Sequence, residues 1–304
     1  MKKYIYTLLV LFIVPFTGMA QDSEEVKQDT IVKKKEKLER AAFESSYIID
    51  NQTDVVLRKN ALEVMLQHRF ATVQNGWEDL AGIYGPNANI RIGGGYGVHE
   101  RVTLGFGITK NKMLLDFNAK VAILRQTRSD KMPVSLSYYG NFAYDARQQE
   151  DTNFSYSQDR FSFFNQLIVV RRFSSKLSLQ GSLSLSHYNT VEVDMRNDMV
   201  AFSLGGRYKI TPNTAILVDY SQPITEMQNY YGTVDPDGNV QYENNNPYPG
   251  ISLGFEFGTS GHAFQLFITN NAGIVNQENY MYNKNDFFNG DILIGFNITR
   301  IYNF

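Results

Sequence analysis

From Ala61 to the end of the chain, apolar and polar residues alternate one by one, the period of a strand with two unlike faces. The run Leu177-Ser178-Leu179-Gln180-Gly181-Ser182-Leu183-Ser184-Leu185-Ser186 puts its leucines on one side and mostly serine and glutamine on the other; a helix would scramble those faces. Val102, Leu104, Phe106 and Ile108 oppose Thr103, Gly105, Gly107 and Thr109, and Ile251, Leu253, Phe255 and Phe257 oppose Ser252, Gly254, Glu256 and Gly258. Twelve such runs can be read, at roughly 61–73, 88–98, 101–110, 113–126, 133–147, 161–173, 177–189, 199–210, 214–223, 250–258, 262–271 and 290–303. Each has about the ten residues that a tilted membrane-crossing strand needs. The even number lets a closed barrel keep both termini on one side. The run 161–173 mixes Phe161, Phe163, Phe164, Asn165, Ile168 and Arg172, so neither of its faces is clean.

The links between runs test this reading independently. Links at 74–87, 148–160, 190–198, 224–249 and 272–289 are long, whereas the links that alternate with them are six residues or fewer. That is the asymmetry of outer-membrane barrels, with short periplasmic turns and long outer loops. Asn111-Lys112 is the one short link on the long-loop side.

The opening of the chain supplies an address. Met1-Lys2-Lys3 is a positive start, Tyr4 to Gly18 an apolar stretch, and Gly18-Met19-Ala20 a small-residue cleavage site, so residues 1–20 are expected to be a cleaved secretory signal. The rest of the 304-residue chain is long for one ordinary domain and normal for one large barrel. Residues 21–60 are expected to form a periplasmic arm or plug. Up to Arg40 this segment is dense in charge, including Lys33-Lys34-Lys35-Glu36-Lys37, and too poor in apolar residues to build a core. Beyond it, Tyr47-Ile48-Ile49 and Val55-Val56-Leu57 could make a short strand pair. The barrel proper is expected over 61–304.

Composition excludes several function classes. Lys+Arg 29 against Asp+Glu 31 leaves no strongly basic face for nucleic acid. The absence of cysteine rules out disulfides, thiolate zinc sites, a cysteine nucleophile and lipid attachment through an N-terminal cysteine. With 19 Tyr and 21 Phe against one Trp, the mixture favours sheet. The fold class is therefore an all-β, antiparallel up-and-down transmembrane barrel of about twelve strands. In lipid every backbone polar group must pair within the protein, and a closed barrel leaves no edge. Its apolar face meets lipid and its polar face lines the lumen, with Tyr96, Tyr208 and Tyr302 near inward strand ends and Tyr144 and Tyr220 near outward ones, where aromatic girdles belong.

The last run places Ile292, Ile294, Phe296, Ile298, Arg300, Tyr302 and Phe304 on one face. This ending, with Tyr302 two before a terminal Phe304, resembles the signal by which the outer-membrane assembly machinery recognises its barrel substrates. Gln67-His68-Arg69-Phe70, Ala88-Asn89-Ile90-Arg91, Ser260-Gly261-His262-Ala263-Phe264-Gln265-Leu266 and Ile294-Gly295-Phe296-Asn297-Ile298 resemble an uncharacterised family of bacterial outer-membrane β-barrel proteins, over about Phe43 to Phe304. That resemblance implies a fold and an outer-membrane location, with no catalytic residues or substrate to carry over.

Candidate chemistry is sparse. His68, His99, His187 and His262 fall in different strands or turns and do not converge as metal ligands; no metal or cofactor is expected. Ser186 and His187 are adjacent, hence on opposite faces, and cannot act as nucleophile and base, so an outer-membrane hydrolase ranks last. Gly93-Gly94-Gly95-Tyr96-Gly97 lacks dinucleotide-motif spacing and suits a bent strand at a barrel corner. Asp235-Pro236-Asp237-Gly238-Asn239 reads as a turn, lacking a calcium loop's later glutamate. Asn229-Tyr230-Tyr231, Tyr242-Glu243-Asn244-Asn245-Asn246 and Tyr280-Met281-Tyr282-Asn283 are groups able to stack on sugars, and equally ordinary loop residues.

The inward face carries the better signal. Alternation assigns to it Glu63, Asp116, Asp145, Asp219 and Glu256 against Arg69, Arg91, Lys120, Arg207 and Lys209, with small residues such as Gly105, Gly107, Ser182 and Gly205 between them. Balanced charge argues against strong ion selectivity. Two expectations follow: a narrow channel or binding site for a small polar solute, with 224–249 shaping its mouth, or a closed structural barrel whose charged arm docks a periplasmic protein.

Overall fold

A computed structural model describes residues 36–304 apart from 150–151, 153, 193–194, 228–231, 235–239, 243–244 and 260. The expected leader, most of the charged arm, the Asn229-Tyr230-Tyr231 group, the Asp235–Asn239 turn and part of the Tyr242–Asn246 group lie outside the described residues.

Every run that alternates in sequence is a strand. A short hairpin, β1 (Tyr47–Ile48) and β2 (Asn51–Gln52), precedes β3 (Ala61–Thr72), β4 (Asn89–His99), β5 (Val102–Thr109), β6 (Leu114–Leu124), β7 (Ser135–Asp145), β8 (Phe161–Arg172), β9 (Leu177–Tyr188), β10 (Asp198–Lys209) and β11 (Thr214–Pro223). A second small hairpin, β12 (Gly232–Val234) and β13 (Val240–Tyr242), stands in the longest link, before β14 (Gly250–Thr259), β15 (His262–Thr269) and β16 (Leu293–Asn303). The twelve long strands close into one antiparallel barrel, β16 returning to pair with β3. At that closure Phe296 opposes His68, and their rings stack 5.2 Å apart at 5°. Among the described residues the one α-helix, α1 (Asn276–Tyr282), lies in the last long link.

The two ends of the barrel differ as the link lengths require. At the arm end, short turns join β4 to β5, β6 to β7, β8 to β9, β10 to β11 and β14 to β15; the long links lie at the loop end. The short Asn111-Lys112 link turns in place through Lys112 and Met113, with φ of 53° and 48°. The glycine run of β4 marks a corner. A Cβ on Gly94 or Gly97 would stand 2.1 Å from Glu63 O or 1.9 Å from Arg58 O, so only glycine lets the neighbouring chain approach that closely.

Leu104, Phe117, Leu183, Leu204, Leu253 and Phe255 stand exposed on the outer face, while the polar partners of the alternation are buried inside. A continuous exposed apolar belt is costly in water and suits hydrocarbon. β8 departs from the pattern. Phe164, Ile168 and Val170 point inward and are buried, and Asn165 points outward. Its lack of a clean face has a cause: the lumen holds an apolar core of its own, where these three residues pack with Tyr139, Ile48, Ile49, Tyr280 and Met281.

Candidate functional site

Two segments from opposite ends meet inside the barrel. From the arm end, residues 42–57 fold into the lumen around the β1–β2 hairpin, burying Phe43, Ser45, Ser46, Tyr47, Ile48, Ile49, Asp50, Asn51, Gln52 and Thr53. From the loop end, α1 descends with Asn276 to Met281 buried. They touch where Asn276 Nδ2 donates to Asp50 O at 3.0 Å and the Tyr280 hydroxyl donates to Asn51 Oδ1. Tyr280 stacks on Phe164 of β8, ring centroids 5.6 Å apart at 11°.

The wall charges that alternation placed inward grip this plug. Arg69 donates to Asp50 Oδ1 at 2.8 Å, both side chains buried, and its Nη2 also donates to Ile49 O. Asp219 accepts from the backbone N–H of Asp50 and Asn51 at 3.0 and 2.9 Å and from Asn51 Nδ2 at 2.8 Å. Glu63 accepts from Ser46 Oγ at 2.7 Å, and Lys120 donates to Ser46 O. Nearer the arm end, Arg207 and Lys209 both reach Glu44 at 3.1 Å, while Arg207 also binds Glu256 at 2.7 Å. Six of these wall charges are thus committed to the segment before the first barrel strand.

Arg91 and Asp116 pair with each other instead, through two bonds of 2.8 Å. Gly107 makes room for them: a Cβ there would lie 2.2 Å from Arg91 Nη2. Gly105 and Gly205 likewise leave room for the side chains of Asn118 and Gln180. Asp145 sits at the loop end, paired with Arg147 at 2.6 Å.

The hairpin tip is strained. Ile49 has φ of 56°, a left-handed conformation costly for a β-branched residue. Wall contacts impose it: Ile49 N–H donates to Gln265 Oε1, and Ile49 O accepts from Arg69 and Asn297. Around α1 the fit is looser. Gln277 Nε2 donates to Asn141 Oδ1 at 2.9 Å, but Gln277 Oε1, Glu278 Oε2 and both amide atoms of Asn279 are buried without a protein hydrogen-bond partner. Such groups are ordinarily satisfied by internal water. Burial raises the Glu278 carboxyl above its usual range, although Lys112 lies 3.5 Å away. Asp54, beyond the hairpin, is raised for the same reason.

The model of the membrane bound beta barrel domain (DUF5777) matches residues 43–302. The chain belongs to that family. The match begins ahead of β3, so the domain includes the hairpin as well as the wall. Among solved structures, the NanC porin is 7% identical, covering 79% of this chain and 99% of that one with a TM-score of 0.48. An outer membrane channel from Pseudomonas putida F1 is 12% identical, covering 82% and 97%, TM-score 0.44. A Pseudomonas aeruginosa FadL homologue is 11% identical, covering 82% and 91%, TM-score 0.31. No curated protein matches the sequence.

As a membrane-bound barrel, the molecule keeps its remaining motifs apart. His68 lies on the lipid face, His99 and His262 at arm-end turns and His187 at the loop end, and no group of three metal-binding side chains occurs among the described residues. Ser186 faces inward and is buried; His187, on the other face, pairs with Asp198 at 2.8 Å. Tyr302 is part-exposed on the outer face, and Phe304 stands clear of the wall. Sequence reading missed α1, whose Asn276-Gln277-Glu278-Asn279 stretch has no apolar period. It also left open which partners the inward charges take.

Proposed function

We propose that this protein is an outer-membrane barrel, with its arm end in the periplasm and its loop end outside, and that it passes or binds a small polar solute through a lumen opened by displacing its own plug. The observation that carries this reading is how the plug is held. Beside the apolar packing of Ile48 and Ile49, the plug is fastened to the wall by hydrogen bonds and ion pairs of Asp50, Asn51, Ser46 and Glu44, groups that water satisfies once they leave. The strain at Ile49 favours departure, since the free hairpin relaxes it.

Conductance across a planar bilayer tests the reading. The full chain is expected to conduct rarely, and a chain lacking residues 43–56 together with 274–284 to conduct steadily. A folded, silent deletion variant overturns it and favours a closed docking barrel. That second reading has its own support at the arm-end rim, where Glu39 N–H donates to Gln126 O at 2.8 Å and Arg128 N–H to Lys37 O at 3.0 Å, holding the start of the described chain where a periplasmic protein could reach it.

A further inference from the structure

Outside α1, between the loop ends of β6 to β9, lies a cavity of about 640 Å³ that the hairpin segment does not line. Its size falls within the roughly 300–1,000 Å³ of small-molecule sites. Tyr282, at the end of α1, forms one side, with the Lys112 ammonium 3.9 Å over its ring. Tyr188 meets Tyr282 edge-on, at 5.2 Å and 87°. Across the cavity Arg160 donates to Asp145 O and Arg147 O, its guanidinium 5.1 Å over the Phe154 ring.

The charges here balance in sign, Lys112, Arg147 and Arg160 against Asp145, Asp159 and Glu192. Arg147 is forked onto Asp145, Lys112 faces Glu278 and a ring, and Arg160 is held by carbonyls and Gln149. An anionic ligand would meet Asp145, Asp159 and Glu192 along with the cations, and a cationic one Lys112, Arg147 and Arg160 along with the carboxylates. The wall offers aromatic faces together with many polar edges and no excess of either charge. Such a surface suits a molecule with an apolar C–H face and many hydroxyls. We infer that this vestibule binds a neutral mono- or disaccharide, one ring lying against Tyr188 or Tyr282 and its hydroxyls reaching the Asp159, Arg160 and Glu192 edge. The inference rests on the reading that the loop end faces outside and names the solute class for it.

The test is calorimetric titration of the full mature chain in detergent micelles, which requires no conductance. The probes are maltose, cellobiose and N,N′-diacetylchitobiose, with glucuronate and glucosamine as charged comparisons. At least one neutral disaccharide is expected to bind below roughly 10 mM. Tyr188→Ala is expected to weaken it about tenfold, and Tyr188→Phe, which keeps the ring, much less. Heat-modifiable gel mobility establishes that each variant is folded. Failure of all three neutral sugars, preference for a charged one, or binding indifferent to Tyr188→Ala overturns the inference. Saccharide binding by the full chain, together with a plug-deletion variant that stays silent, would uphold this site while removing the channel reading.

Discussion

At the scale of single residues, the buried pair of Arg69 and Asp50 carries most weight, because it joins wall to plug. Asp50 is surrounded: Arg69 on one oxygen, and Ser252, Thr269 and Asn271 on the other. Removing only the cation leaves a buried carboxylate unpaired, which costs about 3–5 kcal/mol in comparable sites. Arg69→Ala is therefore expected to loosen the hairpin while the wall stays folded, read as faster hydrogen exchange over residues 46–53 and more frequent bilayer openings. An unchanged hairpin would mean that Asp219, which binds the same tip, suffices alone. On the opposite face Leu183 is 56% exposed, and Leu183→Arg is expected to cost about 2–4 kcal/mol near mid-membrane, measured by refolding into vesicles. Ser182, its inward neighbour, bonds Ser203 and Gln166, so arginine there meets a packed lumen and tests filling in place of lipid contact.

At the scale of elements, the docking of α1 is expected to depend on pH. Glu278 ordinarily titrates near 4.5 and is raised here, chiefly by burial. A carboxyl raised in the docked state holds its proton more tightly there than when free. Docking is thus strongest below the ordinary carboxylate value and weakens as pH rises through the raised one. Glu278→Gln is expected to remove that dependence, seen in exchange of the 276–282 amides after correction for their intrinsic pH dependence; a variant that keeps the full dependence would assign it to another group. The contrast between α1 and the strands shows what sequence could reveal. A strand with lipid on one side and polar groups on the other writes its environment into every second residue, so β9 and β14 are legible directly. β8 faces apolar plug residues, and its inward Phe164, Ile168 and Val170 erase the code. α1 meets polar groups through Asn276 to Asn279 and the apolar core through Tyr280 and Met281, too short a stretch to show a period. The inward face itself was legible, including Glu63, Arg69, Asp219 and Arg207; their partners were not, because those lie up to 228 residues away in the chain.

At the scale of the whole molecule, the hairpin and α1 enter from opposite ends and share a boundary, so neither leaves without consequence for the other. The shared contacts are the hydrogen bonds of Asn276 to Asp50 O and of Tyr280 to Asn51, each worth about 0.5–1.5 kcal/mol net. Coupling of that size is reciprocal by thermodynamic necessity: whatever factor the hairpin adds to the docking of α1, α1 adds to the docking of the hairpin. Tyr280→Phe, which keeps the ring stacked on Phe164 and removes only the hydroxyl, is expected to raise exchange at the β1–β2 tip severalfold. Asn51→Ala is expected to raise exchange in α1, and the double variant should add little beyond the larger single effect in either segment. Equal, independent effects that sum would mean two separate plugs stacked in one lumen. The coupled outcome makes them one gate, through which an event at the loop-end mouth changes how firmly the hairpin at the arm end is held.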